Sequence, residues 1–333
     1  MQLKKNLAAD GALVLTTVVW GTTFFMAKDI LAHWSPLAYM TFRFVVGAVL
    51  LVAMFWRQFA SASREARRAG ATLGVLMGVG FALQAAGQVY TTASKSAFVT
   101  GLTTPLVPFV AYAILRARPG VENLVGIVLA SAGGALILAP QGQGSINFGD
   151  LLTLVSTVAF ALHITLLSVY ARRYDARQLT VLQITSTAAL VFAAWLVFRA
   201  CGVVFDRASL PDLVARESAP LVWSARIVWQ LAYLSTVATV GSFLLWTWGQ
   251  ARSSATHAAI IFSLEPVFAT AFAVAFIGHS EWLGTRGFVG AGLVFAGIIA
   301  SELRWKTRKS GKLEDDDDEV VAYARRTAGE VEN

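Results

Sequence analysis

Residues 10–24 read DGALVLTTVVWGTTF, and residues 150–164 read DLLTLVSTVAFALHI. Each lies in an apolar run of about 20 residues, the length at which a helix crosses a hydrocarbon core of ~30 Å. The two strings match without a gap at a constant offset of 140, and the same offset carries Arg43 onto Gln183. A second pair, KSAFVTGLTTPLVPF at 95–109 and THAAIIFSLEPVFAT at 256–270, matches at an offset of 161. The sequence therefore reads as one set of membrane-crossing helices written twice.

The rest of the chain agrees. Of its 333 residues 56% are hydrophobic and only 14% charged, against about 25% charged in soluble domains. Strand-period alternation is absent, so a β-barrel has no support. Ten segments meet the length and polarity test, at about 11–30, 36–56, 70–91, 96–116, 122–140, 149–170, 178–200, 227–250, 256–277 and 284–303. The expected fold is an all-α integral membrane protein of about ten transmembrane helices. Residues 1–140 and 141–303 are the two five-helix repeats, and 304–333 form a charged tail whose Asp315–Glu319 block reads as disordered. Because five is odd, the second repeat must enter the membrane upside down.

Charge sets the orientation. Lys4, Lys5, Arg57, Arg64, Arg67, Arg68, Arg116, Arg118, Arg172, Arg173, Arg177 and Arg252 all fall on one side of this topology. Short cytoplasmic loops are rich in Lys and Arg, so both termini are expected in the cytoplasm of a cell with an inner (plasma) membrane. The long connection 205–226 is balanced, with Asp206, Asp212 and Glu217 beside Arg207 and Arg216. The net charge of +7 is thus a topology signal rather than a nucleic-acid face. MQLKK and the run after it resemble a signal peptide, but the apolar stretch is too long and lacks a small-residue cleavage site.

Several chemistries are excluded. Cys201 is the only cysteine, so neither a disulfide nor a Cys-based metal site can form within the chain. No HExxH, phosphate loop, paired carboxylates or activated nucleophile occurs, which argues against an enzyme. No cofactor, metal or protein partner is indicated, leaving a small-molecule substrate and the lipid bilayer. A secondary carrier fits best, since inverted repeats hold substrate between their halves; a passive channel is the alternative from another class.

Polar groups inside spans point to a path, because hydrocarbon penalises them unless they are paired or wet. Gln84 and Gln88, four apart in span three, share a face extended by Gly74, Met77, Phe81 and Thr91. They either line a cavity or join helices. His163 aligns with Thr23 at the repeat offset, and could contact substrate, accept a proton or be satisfied by a neighbour. Glu265 must be protonated, paired or wet. Pro266 beside it and Pro105 in span four remove backbone donors and open their helices, either at a site or as plain kinks. Arg43 would snorkel or pair with Glu265, a gating or ion-pair role for which Gln183 is its counterpart. Trp20 and Trp246 lie inside spans and offer stacking or cation–π surfaces as an alternative to core packing. Thr104 completes the expected substrate-binding set. Gly126, Ala130 and Gly134 in span five, with Gly292, Ala296 and Ala300 in span ten, form small-residue seams suited to close helix approach.

Four strings carry a family likeness: VVWGTTFFMAK at 18–28, SPLAYMTFRFVVGAVLL at 35–51, ASKSAFVTGLTTPLVPFVAYAIL at 93–115, and ATHAAIIFSLEPVFATAFAVAFIGHSEWLGTRGFVGAGLVFAGI at 255–298. In this order the chain resembles the drug/metabolite transporter superfamily in its EamA-domain branch, from about residue 8 to 303. It is most similar there to aromatic amino acid exporters of the YddG type. The resemblance implies export of amino acids and related metabolites by alternating access, with no bound cofactor. Efflux of drugs or lipophilic cations is the other transporter reading. In one respect the chain departs from the family pattern: RARPG at 116–120 stands where the family often has a Glu like Glu281.

Overall fold

The computed structural model describes residues 2–116, 121–138, 147–205, 207–252, 258, 261–262, 264–282 and 284–302. Among them all regular structure is helical. The long elements are α1 (Gln2–Leu31), α2 (Pro36–Met54), α4 (Arg64–Tyr90), α7 (Val121–Leu138), α8 (Phe148–Arg173), α9 (Ala176–Val204) and α14 (Gly284–Glu302). Short helices α3 (Trp56–Ala60) and α10 (Asp212–Glu217) lie in connections. Three spans are interrupted. Span four is split at Leu102 into α5 (Ala93–Gly101) and α6 (Thr103–Leu115). Span eight is α11 (Ala225–Ser235), a wide π turn over Thr236–Gly241 and α12 (Ser242–Gln250). In span nine a turn at Leu264 precedes α13 (Glu265–Phe276), with Pro266 in its first turn.

Among the described residues seven spans are long and apolar enough to cross a membrane: Leu7–Leu31, Pro36–Met54, Arg64–Tyr90, Ala93–Leu115, Phe148–Arg173, Ala176–Val204 and Ala225–Gln250. Of the other three expected spans, 122–140 and 284–303 overlap α7 and α14, and 256–277 is matched by α13 over Glu265–Phe276, most of 256–264 lying outside the described residues; α7 and α13 carry the shorter apolar helices Leu124–Leu136 and Glu265–Phe276.

Local sequence explains where helices begin. Ser63 accepts from the Ala66 N–H at 3.1 Å and Ser224 from the Ile227 N–H at 3.2 Å. Asn147 and Asp150 form a reciprocal capping box. Such side chains satisfy donors that a helix N-terminus leaves open. Arg116 closes α6 in the left-handed region at φ 61°.

Polar side chains are buried within a largely apolar core, and many large apolar side chains face outward. Thr16, Thr153, Thr180, Thr187, Gln183 and Arg43 are buried, whereas Val49, Val128, Val155 and Val197 are exposed. An apolar exterior suits lipid, where backbone and buried polar groups must find partners within the bundle. Thr17 donates to the Leu13 carbonyl at 2.8 Å and Thr180 to that of Ala176 at 2.7 Å.

Close approach depends on glycine at two seams. In α4, a β-carbon on Gly74 would lie 2.5 Å from the Gln183 carbonyl oxygen, and that approach lets Thr187 donate to the Gly74 carbonyl at 2.8 Å. Between α7 and α14, Gly133 faces Gly290 and Val294, while Gly297 faces Gly126 and Ala130. The expected α14 face of Gly292, Ala296 and Ala300 is corrected to Gly290, Val294 and Gly297. Nothing lies against Gly292, and Gly134 meets Leu102 at the span-four break instead.

One end of the bundle carries a polar network. Lys95 Nζ meets Asp150 Oδ2 at 2.6 Å, and the Thr91 hydroxyl donates to the other Asp150 oxygen at 2.8 Å. Lys28 Nζ donates to the carbonyls of Gln88 and Thr91, each at 2.7 Å, and so closes the C-terminus of α4 with a cation, as the helix dipole favours. Glu281 Oε2 accepts from the Ser94 N–H at 2.9 Å at the start of α5. Glu217 Oε1 accepts from the Leu37 N–H at 3.0 Å at the start of α2. The Tyr90 hydroxyl donates to Asp212 at 2.6 Å, tying the connection over 205–224 to the same end.

Candidate functional site

A cavity of about 70 Å³ lies at mid-helix between α1, α2, α4, the α5–α6 break, α8, α12 and the start of α13. Two helix breaks border it: Gly101 and Thr103 lie on either side of Leu102, and Glu265 follows Leu264.

One wall is aromatic. Trp20 and Trp246 meet edge to face, with centroids 4.9 Å apart. Phe262 lies 5.5 Å from Trp20 and 5.6 Å from Trp246, and Phe81 packs on Phe160 at 5.1 Å. Both indoles are held by hydrogen bonds, from Trp20 Nε1 to Ser242 Oγ at 2.9 Å and from Trp246 Nε1 to Gln250 Oε1 at 2.9 Å. Their faces are thus presented in fixed orientation, as a stacking surface requires.

Polar groups occupy the remaining wall. Gln84 reaches across from α4 to donate to the Thr100 hydroxyl at 2.9 Å. His163 Nε2 and Gln183 Oε1 are 2.9 Å apart, and Gln183 also donates to the Thr247 hydroxyl at 3.3 Å. The Thr23 hydroxyl returns to the Trp20 carbonyl at 2.8 Å. Arg43 is 2% exposed yet lines the cavity. Its Nε donates to Thr239 Oγ1 at 3.0 Å, Nη1 to the Tyr39 hydroxyl at 3.2 Å, and Nη2 to the Ala238 carbonyl at 3.4 Å. Phe44 and Phe81 flank the guanidinium at 5.3 and 5.2 Å. Arg43 therefore neither snorkels nor pairs with Glu265. The π turn over 236–241 supplies two of its acceptors instead.

Of the residues singled out from sequence, Trp20, Thr23, Gln84, Thr104, His163, Trp246, Glu265 and Arg43 come together at the cavity. Gln88 does not. It is buried and donates to the Phe24 carbonyl at 3.3 Å, joining α4 to α1. Gln183 sits behind His163, and Pro105 and Pro266 are buried beside the breaks without lining the space. Sequence reading missed Phe24, Thr100, Gly101, Thr103, Phe160, Ile164 and Phe262. The repeat offset held the signal for one of these, since Phe160 stands opposite Trp20.

Fold and cavity together define a multi-pass helical membrane protein with an aromatic and polar cavity among its helices. The chain belongs to the EamA-like transporter family, which matches residues 7–139 and 147–302. An uncharacterized transporter of Archaeoglobus fulgidus is 27% identical over 90% of this chain and 87% of its own length. The uncharacterized transporter YyaM of Bacillus subtilis is 27% identical over 86% of this chain and 90% of its own. A solved crystal structure shares the fold, with a TM-score of 0.60 and 16% identity over 89% of this chain and 96% of that one.

Proposed function

We infer that this transporter exports amino acids, aromatic or otherwise neutral, and related small metabolites, by alternating access in a cell inner membrane with both termini cytoplasmic. The observation that carries the reading is the cavity's symmetry of origin. Trp20 and Phe160, Thr23 and His163, Gly101 and Phe262, and Thr104 and Glu265 are pairs matched by the repeat offsets, and all eight line one space. Two copies of a five-helix unit, inserted with opposite sense, would each supply one wall. Rocking of one copy against the other would then expose the space to either side in turn.

The chemistry of the wall supports the substrate class. Rigid indole and phenyl faces suit an aromatic or large apolar side chain, and uncharged amide and hydroxyl groups suit a small polar head. Efflux of lipophilic cations has Glu265 in its favour, but Arg43 in the same cavity opposes a cationic ligand. The test is uptake by proteoliposomes against a panel of amino acids and organic cations, with and without a pH gradient. Saturable amino acid uptake with counterflow is expected. Competition by a cation and by no amino acid would refute the assignment, and flux without counterflow would favour a channel.

A further inference from the structure

Of the three ionisable groups that line the cavity, His163 is joined to Gln183, while Arg43 and Glu265 do not meet each other. Arg43 uses three of its five N–H groups on neutral acceptors. Among the described residues no carboxylate pairs with it. Glu265, on the other half of the chain, likewise has no hydrogen-bond or ion-pair partner among the described residues. A buried guanidinium without a counter-charge is costly, and a buried carboxyl ionises at least cost beside a cation; both groups look into the same cavity.

We propose that Arg43 receives the carboxylate of the substrate and Glu265 its ammonium group, so that the cavity selects zwitterions by two charge-assisted contacts contributed from the two halves. The proposal rests on the amino acid reading above and assigns its polar contacts. Geometry favours Arg43 for the carboxylate: a planar guanidinium matches it with two parallel N–H groups. Thr239, Tyr39 and Ala238 hold the guanidinium in place. The Ala238 carbonyl also accepts from Ser242 Oγ at 2.7 Å, and Ser242 Oγ accepts from Trp20 Nε1 at 2.9 Å. The cationic site and the aromatic wall are therefore joined through one π turn, the kind of helix irregularity often found at functional sites. A carboxylate on Arg43 with an aromatic ring near Trp20 describes an aromatic α-amino acid.

The test is ligand-induced thermal stabilisation of the purified full-length protein, which rises with occupancy. The probes are L-phenylalanine, phenethylamine, which lacks the carboxylate, and 3-phenylpropionate, which lacks the ammonium. Wild type is expected to bind phenylalanine at least tenfold more tightly than either analogue. Arg43→Gln should bring phenylalanine level with phenethylamine, and Glu265→Gln should bring it level with 3-phenylpropionate. The wild-type series stands even where a variant fails to fold, and Arg43→Lys should keep the carboxylate preference at lower affinity. Phenethylamine binding wild type as tightly as phenylalanine would overturn the assignment. Phenylalanine preference unchanged in both Gln variants would overturn the clamp while leaving amino acid transport standing. Binding of none of the three by wild type would remove aromatic amino acids as substrates, and the clamp with them.

Discussion

Gln84 and Gln88 show how far a residue can be read from its spacing. Four positions apart they share a helix face, and that much is visible in the sequence. But four residues turn a helix by about 400° and advance it about 6 Å, enough for Gln84 to face the cavity while Gln88 meets the Phe24 carbonyl. Which neighbour α4 meets at each level is a tertiary fact with no local signal. Gln84→Ala should therefore raise the KM for substrate severalfold. Gln88→Ala should leave KM unchanged and lower the melting temperature, because it strips a buried contact worth about 1 kcal/mol. Equal effects of both on KM would show that the cavity boundary is misdrawn.

Glu217 makes a second prediction at this scale. Burial raises its carboxyl above the ordinary value of 4.5, against the hydrogen bonds that lower it, among them that from the Leu37 N–H. A raised acid binds its proton more tightly folded than unfolded, so its contribution is full below the unfolded pKa and is lost as pH rises through the folded one. The melting temperature of the wild type should fall as pH rises above about 4.5 by this contribution, and Glu217→Gln should flatten that part of the profile. An identical slope in the variant would remove Glu217 as its source.

At the scale of elements, small residues announced that spans five and ten pack closely, and α7 and α14 do so. Their phase was not legible. Span ten carries small residues on more than one face, and the partner decides which is used: Gly290 and Gly297 rather than Gly292 and Ala300. Gly133 sits where a β-carbon would come within 2.6 Å of the Val294 backbone nitrogen. Gly133→Leu should force the pair apart and cost about 1–3 kcal/mol of stability, read as a lower melting temperature, whereas Gly292→Leu should be near neutral. The reverse order would restore the face read from sequence. The prolines signalled the breaks in spans four and nine, since each lacks the N–H its helix would use. The π turn at TVATVG had no proline to mark it, and the Arg43 contacts to Thr239 and Ala238 become visible only in the structure.

For the molecule as a whole, block hydropathy and the low share of charge were enough to read a helical membrane protein, because lipid permits few other ways to satisfy the backbone. The repeat offsets went further, pairing positions that turn out to face one cavity. What sequence alone could not supply was Arg43's place in that cavity, since a lone arginine in a span fits a snorkelling, pairing or ligand-binding role equally well. The structure sets Arg64 and Tyr90 at the two ends of α4, a helix of 27 residues and so about 40 Å long, and the Tyr90 hydroxyl holds Asp212. The connections that hold Arg64 and Asp212, after α2 and after α9, therefore lie at opposite ends of one membrane-length rod, the arrangement that the proposed inversion of the second copy requires. Reporter domains fused at Arg64 and at Asp212 test this most directly. The account predicts a cytoplasmic signal from the first and an external signal from the second; the same side for both would contradict it.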